Sequence, residues 1–209
     1  MAPHDEPLNP GQLQALRAAL HQGAAEASSA LSKWLGRPAV VSLDTIQQLA
    51  LRDATTLLGE GAEPIRFCST EMTGRFTGEL IFAFDDASGL ALADWILGRP
   101  QGTARAWEEL EVSAALETTN ILCCAYLNAL ARRLPAFDKG PTELLPAPPR
   151  LGRDFAQSLI ECALLGQAVT SDRVLLARTE FRMDQEPVNW TLLFVPDGES
   201  MERLRKLLR

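Results

Sequence analysis

Nothing in the sequence approaches the roughly 18 uninterrupted apolar residues of a membrane span, so no membrane insertion is expected. The opening stretch MAPHDEPLNPGQ also lacks the basic end and apolar run of a secretory signal. Acids and prolines stand there instead, and a cytoplasmic address follows. Metal-binding residues are sparse. Cys68, Cys123, Cys124 and Cys162 show no C-x-x-C spacing and have no neighbouring histidine, which argues against a zinc site or a redox pair. Buried free thiols are expected, and no metal or other cofactor in this chain. Basic charge is short as well: 20 Lys and Arg against 27 Asp and Glu leave a net charge of −7, the wrong sign for a nucleic-acid surface. The local pairs Arg132-Arg133 and Arg150 with Arg153 suit an acidic protein partner instead.

What is present describes an ordinary globular protein. With 209 residues, 46% of them hydrophobic and 22% charged, the chain reads as one domain over 1–209. That length buries roughly 70% of the unfolded surface without staples. An alanine- and leucine-rich stretch from Pro10 to Leu35 predicts a long helix stopped by Gly36 and Pro38. Val40 to Leu51 predicts a strand, and Pro64–Met72 with Arg75–Phe84 a hairpin across Thr73-Gly74. Asp85, Asp86 and Ser88 offer caps for a helix to Leu97 closed by Gly98. A second long helix runs from Ala106 to Leu134. A proline-rich connector over 135–150, with Pro141, Pro146, Pro148 and Pro149, excludes regular helix. Leu151–Leu165 reads as a short helix or a mixed segment. Asp172–Met183 and Pro187–Phe194 form a hairpin across Asp184-Gln185-Glu186, and Glu199–Leu208 a closing helix. Trp34, Trp95, Trp107 and Trp190 read as core or helix-boundary anchors, and the acids at Asp85-Asp86 and Asp197-Glu199 as helix caps.

This order of elements is duplicated. Residues 77–88, TGELIFAFDDAS, match residues 189–200, NWTLLFVPDGES, at an offset of 112, placing Leu80, Phe82, Asp85 and Ser88 on Leu192, Phe194, Asp197 and Ser200. The long helices align at an offset of 99, so the second half carries 13 additional residues, most simply housed in the connector. The expected class is α+β: pseudo-symmetric halves over 10–100 and 105–209, each a long helix plus antiparallel strands of one shared sheet.

Within the second long helix, Ser113, Glu117, Asn120 and Cys124 lie at about 0°, 40°, −20° and 20°, taking about 100° per residue, and so share one face. Ile121 and Ala125 border it. A separate stripe of Val112, Leu116, Cys123, Leu127, Leu130 and Leu134, centred roughly a quarter-turn away, serves the core. The polar set is not needed for folding. At the offset of 99 its counterparts in the first helix are Gln14, Ala18 and His21, which provide neither the carboxylate nor the carboxamide at those positions. A requirement of the fold would be met in both halves, so the surviving set reads as functional, and His21 as a surface or packing residue.

Ser, three residues, Glu, two residues, Asn resembles the signature of the CheC, CheX and FliY type phosphatases of bacterial chemotaxis. The following run ILCCAYLNALARRL is also similar to that family's small-residue helix. Three departures stand out: Thr118-Thr119 replace the usual Ile-Gly, neither Pro141 nor Pro146 falls at the family proline, and one site is kept where CheC usually carries two. The resemblance implies a hydrolase that removes the aspartyl phosphate of a CheY-like response regulator in two-component signalling. In that reading Asn120 and Glu117 are the catalytic pair, Asn120 orienting the hydrolytic water and Glu117 also docking on the regulator's lysine. Ser113, Glu117, Ile121 and Cys124 contact the partner, and Mg2+ belongs to the partner's receiver domain. A CheD-type deamidase is a further partner the resemblance implies. The alternative is a degenerate binding or scaffold module of a chemotaxis or flagellar-switch pathway. The motor form of that alternative is expected to carry an additional C-terminal domain, whereas this sequence ends after the last repeated element.

Overall fold

The computed structural model of the protein describes residues 7–50, 53, 64–133, 143–168, 173–183 and 186–208. Helix α1 (Pro10–Leu35) begins where Asn9 and Gln12 cap each other. The Asn9 side chain accepts from the Gln12 backbone N–H at 2.9 Å, and the Gln12 side chain accepts from the Asn9 N–H at 2.8 Å. This reciprocal box satisfies donors that a helix start leaves open, and Pro10 presets the first φ. Gly36, at φ 66°, makes the left-handed turn that ends the helix.

Then follow β1 (Ala39–Ala50), β2 (Ile65–Gly74), β3 (Gly78–Phe84), α2 (Asp86–Ile96) and α3 (Glu109–Arg133). The second half continues with β4 (Leu144–Pro146), β5 (Arg150–Asp154), α4 (Ala156–Ala168), β6 (Arg173–Met183), β7 (Glu186–Pro196) and α5 (Gly198–Leu207). The strands form one antiparallel sheet in the order β1-β6-β7-β3-β2-β4, with β5 also paired to β2. The fold is α+β with two pseudo-symmetric halves on a shared sheet, as the sequence predicts.

At the centre Ile81 faces Leu193, 112 positions on, while Leu80 faces Phe194 and Phe82 faces Leu192. Exchange of equivalent residues across the pair is what a twofold axis through Ile81 and Leu193 requires. The first strands cross over. β1 pairs with β6 of the other half and β5 with β2, so neither half completes its sheet alone. Ile46 faces Ala177 on one edge as Leu151 faces Cys68 on the other, which makes Leu151 the equivalent of Ile46 at an offset of 105. Cys68 and Ala177 correspond at 109. The offset thus climbs from 99 through 105 and 109 to 112, and the additional residues are spread over three places instead of sitting in the connector alone. The irregularity between Leu43 and Thr45 recurs as the gap between β4 and β5, where Pro148 and Pro149 have no N–H to donate.

Alternation along the strands separates two cores. Leu80, Phe82, Leu192 and Phe194 join the main core with Leu16, Leu20, Tyr126, Leu92 and Leu204 from α1, α3, α2 and α5. Ile81, Leu193 and Val195 face the other way, under Leu159, Ile160 and Leu164 of α4. Among the described residues, α1, α2, α3 and α5 therefore pack on one face and α4 on the other.

The structure corrects several expectations. The first hairpin does not turn at Thr73-Gly74. β2 runs on through Gly74 because β4 pairs with Met72–Gly74, and the turn sinks Phe76 to 1% exposure. Helix α3 starts at Glu109, since Trp107 is held outside it, stacked on Phe84 at 5.7 Å. Leu151–Leu165 divides into the end of β5 and most of α4. Of the cysteines, Cys68 and Cys123 are buried, Cys124 is half-buried and Cys162 is exposed. Trp34, 43% exposed near the end of α1, is of the helix-boundary kind that the sequence allows, whereas Trp190 is in the core. Leu51, Leu134, Pro141, Asp172 and the turn residues Asp184 and Gln185 lie outside the described residues.

Candidate functional site

The start of α3 is fixed by contacts from the first half. Asp94 of α2, fully buried, accepts from the backbone N–H groups of Thr103 and Ala104, each at 2.9 Å, and so shapes the loop that enters α3. Buried Glu111 accepts from Arg99 Nη1 at 2.8 Å and from the Glu108 N–H at 3.3 Å, tying the first turn to that loop. The Trp107 indole donates to Asp86 Oδ1 at 2.8 Å, beneath the Arg66 guanidinium at 4.7 Å. Acids in the first turn, Glu109 and Glu111, also suit the positive end of the helix dipole.

The inward side of α3 is closed by packing. Thr118 and Thr119 are fully buried, and their hydroxyls donate to the carbonyls of Ala114 and Ala115 at 2.8 Å each. The residues that stand where the resemblance expects Ile-Gly thus face the core with their hydroxyl groups satisfied inside their own helix. Tyr126, 2% exposed, shares a 2.7 Å hydrogen bond with Thr179 of β6, and its ring lies against Gly23 of α1. Ala115, Leu122 and Tyr126 are buried beside Cys123, Leu127 and Leu130. The buried arc is therefore wider than the sequence stripe, and its centre, at about 230°, lies almost opposite the polar set. The sequence reading counted large apolar side chains alone and so missed alanine, threonine and tyrosine.

The outward side is open. Ser113 and Glu117 are exposed, while Asn120, Ile121 and Cys124 are half-buried at its flank. The Cys124 thiol donates to Asn120 Oδ1 at 3.9 Å, a weak contact that spans one turn. Burial, and secondarily the nearby Glu117 charge, push the Cys124 thiol above its ordinary pKa, so it stays protonated at neutral pH. Neither Ser113 nor Glu117 makes a side-chain hydrogen bond or ion pair among the described residues, and in particular not with each other. One helical face therefore presents an unpaired carboxylate and, about 5 Å along the axis, a carboxamide. The face also contains a residue that the sequence reading passed over: Leu110 sits at about 60° on the same wheel and is 54% exposed. Its position three residues before Ser113 was the available signal.

On α1 the counterparts Gln14, Ala18 and His21 are all exposed, so both helices turn an equivalent side outward while α3 alone carries Glu and Asn there. Chemistry elsewhere is limited. A cleft of about 380 Å³ is lined by Glu71, Glu79, Thr73, Thr77, Asp197 and Cys162 among others, and includes no residue of α3. Asp85 and Asp197, 112 apart, do cap helices as expected, accepting from the Ser88 and Ser200 N–H groups at 2.7 and 2.8 Å. Among the described residues no group of three His, Cys, Asp or Glu is placed to hold a metal ion, and no helix is long and apolar enough to cross a membrane.

No family model and no curated protein matches the sequence. Solved structures do match the fold. FliY of Thermotoga maritima superposes with a TM-score of 0.74 at 14% identity, over 97% of this chain and 98% of that one. The FliM middle domain of H. pylori gives 0.65 at 13% identity over 95% and 98%. A chain of the CheX–CheY–BeF3–Mg complex of Borrelia burgdorferi gives 0.52 at 11% identity over 84% and 96%. The chain has the fold that CheC, CheX and FliY type proteins share.

Proposed function

We propose that this protein hydrolyses the aspartyl phosphate of a CheY-like receiver domain, with the outward face of α3 as the docking and catalytic surface. The observation that carries this reading is an exposed Glu117 with no hydrogen bond or ion pair among the described residues, one turn from the half-buried carboxamide of Asn120 on the same helical face. An acyl phosphate in a receiver already lies against that domain's own Mg2+ and lysine, so this chain need bring no metal. What remains is to hold water in line with the bond from phosphorus to the aspartyl oxygen. Asn120 does this by accepting from the water through Oδ1 and donating through its NH₂. The water oxygen bonds to phosphorus, the aspartyl oxygen leaves with its electron pair, and inorganic phosphate and a free carboxylate result. Glu117 pairs with the receiver's lysine and fixes the approach. Ser113, Ile121 and Cys124 complete the contact surface, in a cytoplasmic setting.

A second reading has its own support. The fold also matches the FliM middle domain, with a TM-score of 0.65, so a non-hydrolytic module of a flagellar switch is the alternative. One experiment separates the two. The chain is added to a phosphorylated receiver with magnesium and loss of the phosphoryl group is followed over time. Wild type accelerates the loss, and Asn120→Ala lowers the acceleration roughly 10²-fold with the fold intact. Equal rates for the two proteins refute the role of Asn120, and binding without turnover supports the switch module.

A further inference from the structure

Leu110 is the large hydrophobic residue of α3 that stands exposed, at 54%, and it shares the outward face with the exposed Glu117. Its neighbours are committed inward: Ala114 is buried and Glu111 is held by Arg99. On the helical wheel Leu110, Glu117 and Ile121 fall at about 60°, 40° and 80°, a strip roughly 16 Å long with the carboxylate between two apolar groups. Arg132, at the edge of the same side, is paired with Glu26 of α1. At the offset of 99, Leu110 corresponds to Gly11, so the twin face lacks the apolar knob just as it lacks the carboxylate and the carboxamide.

We infer that Leu110 is the apolar anchor of the receiver-docking surface, seated against an apolar patch of the partner beside a cationic side chain that meets Glu117. The inference rests on the receiver reading given above and extends the contact surface one turn toward the start of α3. Charge decides the occupant. The strip carries an unpaired carboxylate on a chain of net charge −7, so a twofold contact between copies would set Glu117 near its own image, whereas a cationic partner surface complements it.

The test measures affinity for a stand-alone receiver protein activated with beryllofluoride and magnesium, a state that cannot be hydrolysed, so binding is read apart from turnover. Leu110→Ser is expected to bind roughly tenfold more weakly and Leu110→Met within about twofold of wild type, the scale of burying half a leucine side chain. Leu165→Ser is the control: Leu165, 58% exposed, lies on α4 across the sheet, and its variant should bind as wild type does. Exposure of both leucines means that unchanged thermal midpoints accompany the change. Leu110→Ser binding as tightly as wild type overturns the inference. So does a wild type that binds no activated receiver, or one that self-associates through Leu110. If binding depends on Leu110 while phosphoryl loss is not accelerated, the docking surface stands and the phosphatase reading falls.

Discussion

Placing a methyl group at Gly23 tests how α1 holds α3 in place. An added Cβ there would lie 2.8 Å from Cδ1 and 3.2 Å from Cε1 of Tyr126, inside the contact distance of carbon atoms. The ring has little freedom to retreat, because Tyr126 is 2% exposed and its hydroxyl shares a 2.7 Å bond with Thr179. Glycine inside a helix costs about 1 kcal/mol relative to alanine, so propensity alone would stabilise Gly23→Ala by that amount. Overpacking a tight contact costs about 1–3 kcal/mol, and swinging the ring aside gives up a hydrogen bond of about 1 kcal/mol. The balance is a net loss of about 1–3 kcal/mol, or about 2–12 °C in thermal midpoint for a domain of this size. Thermal unfolding followed by circular dichroism reads it directly. The same change in a Tyr126→Phe background, where the ring is no longer pinned, should cost about 1 kcal/mol less. A higher midpoint for Gly23→Ala, or the same loss in both backgrounds, refutes the account of this contact.

Two further outcomes follow from the electrostatics. Glu79 faces Glu71 directly across β2 and β3, and burial first, then the Glu71 charge, raise its carboxyl above the usual 4.5. The native state therefore holds this proton more tightly than the unfolded chain. Its contribution is complete below pH 4.5 and is lost as pH rises through the folded value. Glu79→Gln should melt higher than wild type at pH 7, with the difference vanishing below pH 4.5 in a pH series of melts; equal midpoints at pH 7 count against it. Burial pushes the Cys68 thiol up to about 11 against a lowering hydrogen bond with Thr119, and pushes Cys123 higher still. At pH 8 an aromatic disulfide reagent should modify exposed Cys162 first and half-buried Cys124 slowly, leaving Cys68 and Cys123 until unfolding. Rapid modification of Cys68 or Cys123 in the native protein contradicts this.

The parts of the fold that announce themselves in the sequence are those set by local chemistry. Asn9-Pro10 with Gly36, Asp85 with Ser88, and Asp197 with Ser200 each satisfy backbone groups within a few residues, so spacing alone places those ends. What the sequence hides is set by partners distant along the chain. Thr73-Gly74 has the composition of a turn, yet β4, about 70 positions away, pairs with it and moves the turn on. The crossing of β1 to β6 and of β5 to β2 is likewise invisible locally, since a strand's own residues do not name its neighbour. The inner face of α3 was misjudged for a related reason: Thr118 and Thr119 read as polar, and only the carbonyls one turn back make them fit for a core.

The candidate site was legible because it is a departure from a repeat. Both long helices turn an equivalent side to solvent, and packing constrains neither side. Gln14, Ala18 and His21 are exposed on one helix as Ser113 and Glu117 are on the other. Contacts do bind α1 to α3 elsewhere, with Gly23 lying against Tyr126 and Glu26 pairing with Arg132. Among the described residues, exchange of Glu117 for the alanine of its counterpart would break no hydrogen bond or ion pair. On the proposed reading, that carboxylate, with an exposed leucine on one side and a carboxamide on the other, meets the cationic group of a receiver. Glu117→Ala should then weaken binding of the activated receiver while leaving the thermal midpoint unchanged; tight binding by that variant refutes the docking role.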